Sequence, residues 1–146
     1  KLDNMLQEGV RMRFIGRLNE LPLKLMNFTE EIEKKTSSCR KLDVIVALNY
    51  GGRAEIVDSV NRVLDSGKRR VSEEDISENL YLPDVPEPDL IVRTSGEERI
   101  SNFLTWQSVY SELFFTRTLW PDFTKWEFVK IVEEYSKRKR RFGALS

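Results

Sequence analysis

Arg93, Arg99 and Ser101 crowd one turn of the sequence, in the stretch DLIVRTSGEERISNF from Asp89 to Phe103. Arg93 leaves an apolar triplet, Gly96 lets the chain bend, and Ser101 or Asn102 stands where a helix is expected to begin. Two guanidiniums, a hydroxyl and the outward N–H groups of a helix N-terminus are the parts of a diphosphate cradle, each charge-assisted hydrogen bond contributing about 1.5–3 kcal/mol. The competing reading is a set of surface ion pairs with Glu97, Glu98 and nearby acids, and the spacing leaves both open. Glu112 precedes Leu113-Phe114-Phe115. Beside a diphosphate its carboxylate is a candidate ligand for Mg²⁺, which seeks oxygen and bridges phosphates; without one it is an ordinary solvated acid. A second turn, Asn49-Tyr50-Gly51-Gly52-Arg53, offers an anion the backbone N–H groups of two glycines and an arginine, or is simply a tight turn needing positive φ.

Alternating strands and helices must position these turns. Val10–Leu18 reads as a strand, and Pro22 opens a helix with Leu25, Phe28 and Ile32 on one face. Val44–Leu48, within Leu42–Tyr50, is a continuous apolar run, the pattern of a strand covered on both faces in a parallel sheet. Ile56, Val60, Val63 and Leu64 then recur at helical spacing until Gly67 stops the helix, and Ser72 caps a short one led by Glu73 and Glu74. Pro83, Pro86 and Pro88 form an extended connector. Leu90–Val92 and Ser111–Leu119 are further strands, and Thr124 with Glu127 suggests a capping box for a last helix carrying Phe128, Val132 and Tyr135 on one face. The order predicts an α/β fold, a mostly parallel central sheet covered by helices. In such sheets ligands bind beyond the carboxyl ends of the strands, where both special turns fall.

The totals narrow the chemistry. Lys plus Arg and Asp plus Glu number 24 each in 146 residues, so net charge gives no reason to expect nucleic acid as a partner. The length suits one domain. No His is present, which removes a histidine base, histidine metal ligands and a Ser-His-Asp triad from this chain. The lone Cys39 and the absence of a long apolar run point to a reducing, cytoplasmic setting. Trp106, Tyr110, Trp120, Phe123 and Trp126 read as core or interface aromatics, and the basic run Lys137–Arg141 as a solvated helix end able to approach acidic lipid or a partner's phosphate. The chain has no initiator Met, and Lys1–Gly9 reads as the end of a helix closed by glycine.

Four stretches, ALNYGGRAEI (Ala47–Ile56), DLIVRTSGEERISNFLTWQSVYSELFFT (Asp89–Thr116), LWPDF (Leu119–Phe123) and RRFG (Arg140–Gly143), closely resemble the cis-prenyltransferases, specifically the bacterial undecaprenyl diphosphate synthases. The resemblance implies a Mg²⁺-dependent homodimeric α/β enzyme that adds isopentenyl diphosphate, in cis, to an allylic diphosphate such as farnesyl diphosphate, visiting the membrane surface transiently to release its product. It assigns the diphosphate of isopentenyl diphosphate to Arg93, Arg99 and Ser101, and Mg²⁺ to Glu112 reaching from the neighbouring subunit. Arg141 and Gly143 match an Arg-x-Gly end that contributes an arginine across the dimer, and Asn49, Gly51 and Gly52 form the other substrate-binding turn. The family's allylic-site turn, resembling Asp-Gly-Asn-Gly-Arg and carrying its key Asp, has no counterpart in these residues. Residues 1–146 are therefore expected to be the carboxyl-terminal portion of a single catalytic domain, inactive alone. The alternatives are a non-catalytic fragment or partner subunit that only binds isopentenyl diphosphate or dimerises, and a nucleotide-binding module; no Lys-Ser/Thr follows the glycines and no G-x-G-x-x-G occurs, which disfavours the last.

Overall fold

The computed structural model describes residues 2–138. They form two compact units, one ending at Asp84 and the other beginning at Val85. The first unit runs α1 (Leu2–Gln7), β1 (Val10–Ile15), α2 (Leu23–Thr36), β2 (Leu42–Ala47), α3 (Gly52–Asp65) and α4 (Glu73–Glu78). The second runs β3 (Leu90–Arg93), β4 (Glu112–Phe115) and α5 (Lys125–Lys137). Each unit holds one parallel strand pair: β1 on β2 with Arg11 opposite Asp43, and β3 on β4 with Leu90 opposite Glu112. The expected α/β character and parallel pairing are present.

In the first unit polar side chains finish what the strand pair leaves open. The outer edge of β1 is covered by α2: Met12 N–H donates to Thr36 Oγ1 at 3.0 Å and Phe14 N–H to Glu33 Oε1 at 2.8 Å. A helix thus blunts a sheet edge that would otherwise offer unpaired N–H groups to another strand. Thr29 and Thr36 are the buried residues of α2, while Leu25 and Phe28 are exposed. The apolar face read from Leu25, Phe28 and Ile32 borders open grooves. One, of about 470 Å³, is lined by Met5, Met12, Phe14, Phe28 and Ile32 among others. Arg11 and Arg13 lie across β1 against Asp43 and Asp84, and each arginine holds its partner's carboxyl below the ordinary aspartate value.

The helix ends follow local chemistry. Gly67, at φ +89°, donates its N–H to Leu64 O and stops α3. Ser72 and Asp75 form a complete capping box at α4: Asp75 N–H donates to Ser72 Oγ at 3.2 Å, and Ser72 N–H to Asp75 Oδ2 at 3.1 Å. Alpha-4 is tied to α3 by Ser59 Oγ–H donating to Ile76 O at 2.8 Å. Ile15, Cys39, Val63 and Leu80 are the buried apolar residues of the first unit, joined by Glu55, which is only 2 % exposed.

Candidate diphosphate-binding turn

In the second unit, Arg93 ends β3 and reaches across its turn to Ser101. Its Nη1 donates to Ser101 Oγ at 2.7 Å and also to the backbone carbonyl of Arg99. Both acceptors are neutral, so the Arg93 guanidinium is not matched by an acid; among the described residues Arg93 forms no ion pair. Arg99 does have an acid, Glu97, as the ion-pair reading expected, but the pair is solvent-exposed, with 64 % of the Arg99 side chain accessible, and of the kind worth little. The structure therefore brings Arg93 and Ser101 into direct contact and places the Arg99 backbone with them.

The helix expected to open at Ser101 or Asn102 is absent. Ser101, Asn102 and Leu104 adopt φ of +47°, +64° and +45°, a left-handed cluster that no right-handed helix can contain. Residues 101–110 form turns instead, with isolated bonds such as Ser108 N–H to Leu104 O at 2.9 Å. The helix-dipole contribution to the cradle is thereby withdrawn, leaving guanidinium, hydroxyl and turn backbone. Such residues cost about 1–3 kcal/mol each and persist where their surroundings over-determine them. Here Arg93 holds the segment at the Arg99 carbonyl and the Ser101 hydroxyl.

The near side of the turn is pinned to the segment after β4. Ser95 N–H donates to Thr118 O at 2.9 Å and Gly96 N–H to Thr116 O at 2.8 Å, with φ of +76° and +72° at the two donors. Strand β4 stops at Phe115 rather than running to Leu119: Thr116 N–H still bonds β3, but the Thr116 and Thr118 carbonyls turn to the Ser95–Gly96 bend. Thr116 N–H donates to Arg93 O at 2.9 Å, and the Thr116 and Thr118 hydroxyl oxygens lie 3.2 Å apart. Glu127 closes the arrangement: Thr116 Oγ1 and Thr118 Oγ1 lie 2.6 and 2.9 Å from its Oε1. Thr124 caps α5 as expected, accepting from Glu127 N–H at 3.2 Å, but the Glu127 carboxylate serves the two threonines rather than the cap backbone.

Glu112 begins β4, and its Oε2 accepts from Arg138 Nη1 at 2.7 Å. The same guanidinium covers the Phe114 ring, two residues along the same strand face, at 3.9 Å from the centroid. No signal in the sequence pairs Arg138 with Glu112. Among the described residues no three acidic or thiol side chains converge. One carboxylate with one oxygen engaged fits Mg²⁺ only as Mg²⁺ is commonly held, with phosphates and water supplying the other oxygens. Arg141 and Gly143 lie outside the described residues.

The turn after β2 differs from its expected form. Its left-handed residue is Asn49, at φ +47°; Gly51 is extended and Gly52 is the buried first residue of α3. Asn49 Nδ2 donates to Arg17 O at 3.1 Å and to Glu20 Oε2 at 2.9 Å, while Tyr50 O–H donates to buried Glu55. Arg17 is bidentate on Asp58, at 3.1 and 2.9 Å, and Asp58 also accepts from Tyr81 O–H at 2.6 Å. Burial, then Asp58, pushes the Tyr81 phenol up to about 12. This turn is knit to its neighbours by acids of its own unit.

Two parallel strand pairs flanked by helices define an α/β protein, and among the described residues the guanidinium at the end of β3 is held by neutral groups. A family model described as "Putative undecaprenyl diphosphate synthase" matches residues 1–143, and the chain belongs to that family, the cis-prenyltransferases. It is 51 % identical to the isoprenyl transferase of Thermotoga maritima over 99 % of this chain and 64 % of the relative. It is 50 % identical to that of Fusobacterium nucleatum over 97 % of this chain and 61 % of the relative. The chain thus spans just under two thirds of these curated relatives. A crystal structure of a "probable undecaprenyl diphosphate synthase" from Campylobacter jejuni superposes with a TM-score of 0.90 at 38 % identity, covering 98 % of this chain and 67 % of that one. Lavandulyl diphosphate synthase from Lavandula x intermedia, solved with dimethylallyl diphosphate, gives 0.91 at 28 % identity, covering 98 % and 65 %.

Proposed function

We propose that this chain forms the isopentenyl diphosphate site of a cis-prenyltransferase that condenses isopentenyl diphosphate with an allylic diphosphate, farnesyl diphosphate, into a long-chain polyprenyl diphosphate. The product proposed is undecaprenyl diphosphate, for a cell-wall lipid carrier. One observation carries the reading: at the end of β3 the Arg93 guanidinium, among the described residues, donates to the Arg99 carbonyl and the Ser101 hydroxyl and to no acid. A diphosphate entering this turn gains charge-assisted bonds without breaking an ion pair at Arg93. That the lavandulyl relative was solved with an allylic diphosphate supports diphosphate chemistry in this fold.

The reaction needs an allylic diphosphate to leave and a weak alkene nucleophile to be held in place. Arg93 and Ser101 would hold the nucleophile's diphosphate, with Arg99 turning from Glu97 to join them, so that the alkene is positioned against the allylic carbon. Glu112 would hold Mg²⁺, whose contribution is to neutralise negative charge on the phosphates. Asn49, Gly51 and Gly52 would form a second substrate turn, and Arg141 would reach a site shared across a homodimer. Within the first unit, the groove between β1 and α2 would offer a hydrocarbon an apolar wall. Among the described residues no helix is long and apolar enough to cross a membrane. A cytoplasmic enzyme with transient membrane contact at the basic end of α5 accords with a lipid product.

A narrower reading, a chain that only binds isopentenyl diphosphate or dimerises, is favoured by Arg138 engaging Glu112. Thermal unfolding with isopentenyl diphosphate or ATP, each with and without Mg²⁺, tests the proposal. Stabilisation by isopentenyl diphosphate but not ATP supports it, and equal stabilisation by both overturns it. Product formation from isopentenyl and farnesyl diphosphates separates the two readings.

A further inference from the structure

We infer that Glu127 is a positioning residue for the diphosphate-binding turn, acting through Thr116 and Thr118; the inference rests on the proposed role of that turn. Glu127 makes no hydrogen bond or ion pair with Arg93 or Ser101, yet its Oε1 accepts both threonine hydroxyls, at 2.6 and 2.9 Å. The carbonyls of the same two threonines accept the N–H groups of Gly96 and Ser95, at 2.8 and 2.9 Å, and Thr116 N–H donates to the carbonyl of Arg93. One carboxylate on the first turn of α5 therefore fixes two residues whose backbone fixes both ends of the Arg93–Gly96 bend. Ser95 is held at φ +76°, a conformation disfavoured for a residue with a Cβ, so the bend needs outside support of this kind. Sharing one oxygen between two hydroxyls also fixes the spacing of Thr116 and Thr118, because both donors must converge on the same point.

The role differs from capping. Thr124 caps α5 through the Glu127 backbone N–H, so removing the Glu127 side chain leaves that bond in place, and removing the Thr124 hydroxyl leaves the carboxylate in place. The two variants separate helix stability from turn geometry.

The test is calorimetric titration of inorganic pyrophosphate into the wild-type protein and the E127A, E127Q, T124A and R93A variants, with Tm measured for each. E127A is expected to weaken pyrophosphate about tenfold, the loss of one to two hydrogen bonds' worth of preorganisation. E127Q keeps an oxygen acceptor and is expected within about threefold of wild type. T124A is expected to lower Tm with unchanged affinity. Should E127A fail to fold, the T116V/T118V pair removes both donors and is expected to show the same tenfold loss. Wild-type affinity in E127A with binding lost in R93A overturns the role of Glu127. Equal affinity losses in E127A and T124A also overturn it, assigning the effect to the helix. Wild-type affinity in R93A instead overturns the diphosphate reading of the turn itself.

Discussion

Arg17 and Arg93 lie at the carboxyl ends of parallel strands, one in each unit, and they are used in opposite ways. Arg17 is bidentate on Asp58, with Glu20 at 3.7 Å, and its guanidinium is held well above the ordinary arginine value by Asp58. Arg93 has a hydroxyl and a carbonyl. An arginine already paired to an acid must give up that pair to bind an anion; one held by neutral groups need not. Residue type and place in the fold do not distinguish the two. The acid that α3 supplies to Arg17, and that no described element supplies to Arg93, does.

The comparison can be broken hardest at Gly16, which precedes Arg17. A Cβ there would lie 1.9 Å from the Leu48 carbonyl oxygen, at φ +121°. Gly16→Ala is expected to cost about 3–4 kcal/mol, among the largest single-residue effects, because backbone rather than a flexible side chain must move. Urea unfolding followed by circular dichroism checks it; a loss below 1 kcal/mol would show that the Arg17 loop is looser than described. Arg138→Ala comes next. It removes the 2.7 Å bond to Glu112 and the cover over Phe114, and is expected to cost about 1–2 kcal/mol by the same assay. Arg17→Ala breaks a partly exposed, solvent-screened bridge and is expected to cost less than Arg138→Ala in the same assay.

The smallest effect is the acid dependence. Asp58 is held below its ordinary value of 3.8, chiefly by the Arg17 hydrogen bond. A depressed carboxyl stabilises the fold fully above its unfolded value and loses that contribution as pH falls through its folded one. Tm measured from pH 6 to pH 2 should therefore fall below about pH 4, less steeply in D58N than in wild type. Parallel curves would remove Asp58 from the account. Tyr81 acts at the other extreme: raised to about 12, it favours the fold below its unfolded value near 10 and ceases to as pH climbs past its folded one.

Local chemistry made much of this legible. Ser72, Gly67 and Thr124 end or begin helices where their side chains or φ demand it, and the apolar run of β2 becomes a parallel strand. Arg93 and Ser101 meet as their spacing suggested. The failures lie where distant groups decide. Ser101 has the chemistry of a cap, but Arg93 takes its hydroxyl and the backbone turns left-handed, so no helix follows. Gly51 and Gly52 suggested positive φ, yet Asn49 takes it, held by Glu20 from 29 residues earlier. Glu127 has capping-box spacing, but two threonine hydroxyls outcompete the cap N–H for its carboxylate. Nothing local to Glu112 announces Arg138, 26 residues away. The expected Arg141 contribution falls outside the described residues.

The central claim is that Arg93, and not Arg17, carries charge available to a diphosphate. Its most direct test is calorimetric titration of isopentenyl diphosphate into wild type, R93A and R17A at one ionic strength. Arg93→Ala is expected to weaken binding about 10- to 100-fold, the loss of charge-assisted bonds of about 1.5–3 kcal/mol, while Arg17→Ala leaves it within about twofold. Equal losses in the two variants, or no loss in R93A, would contradict the account.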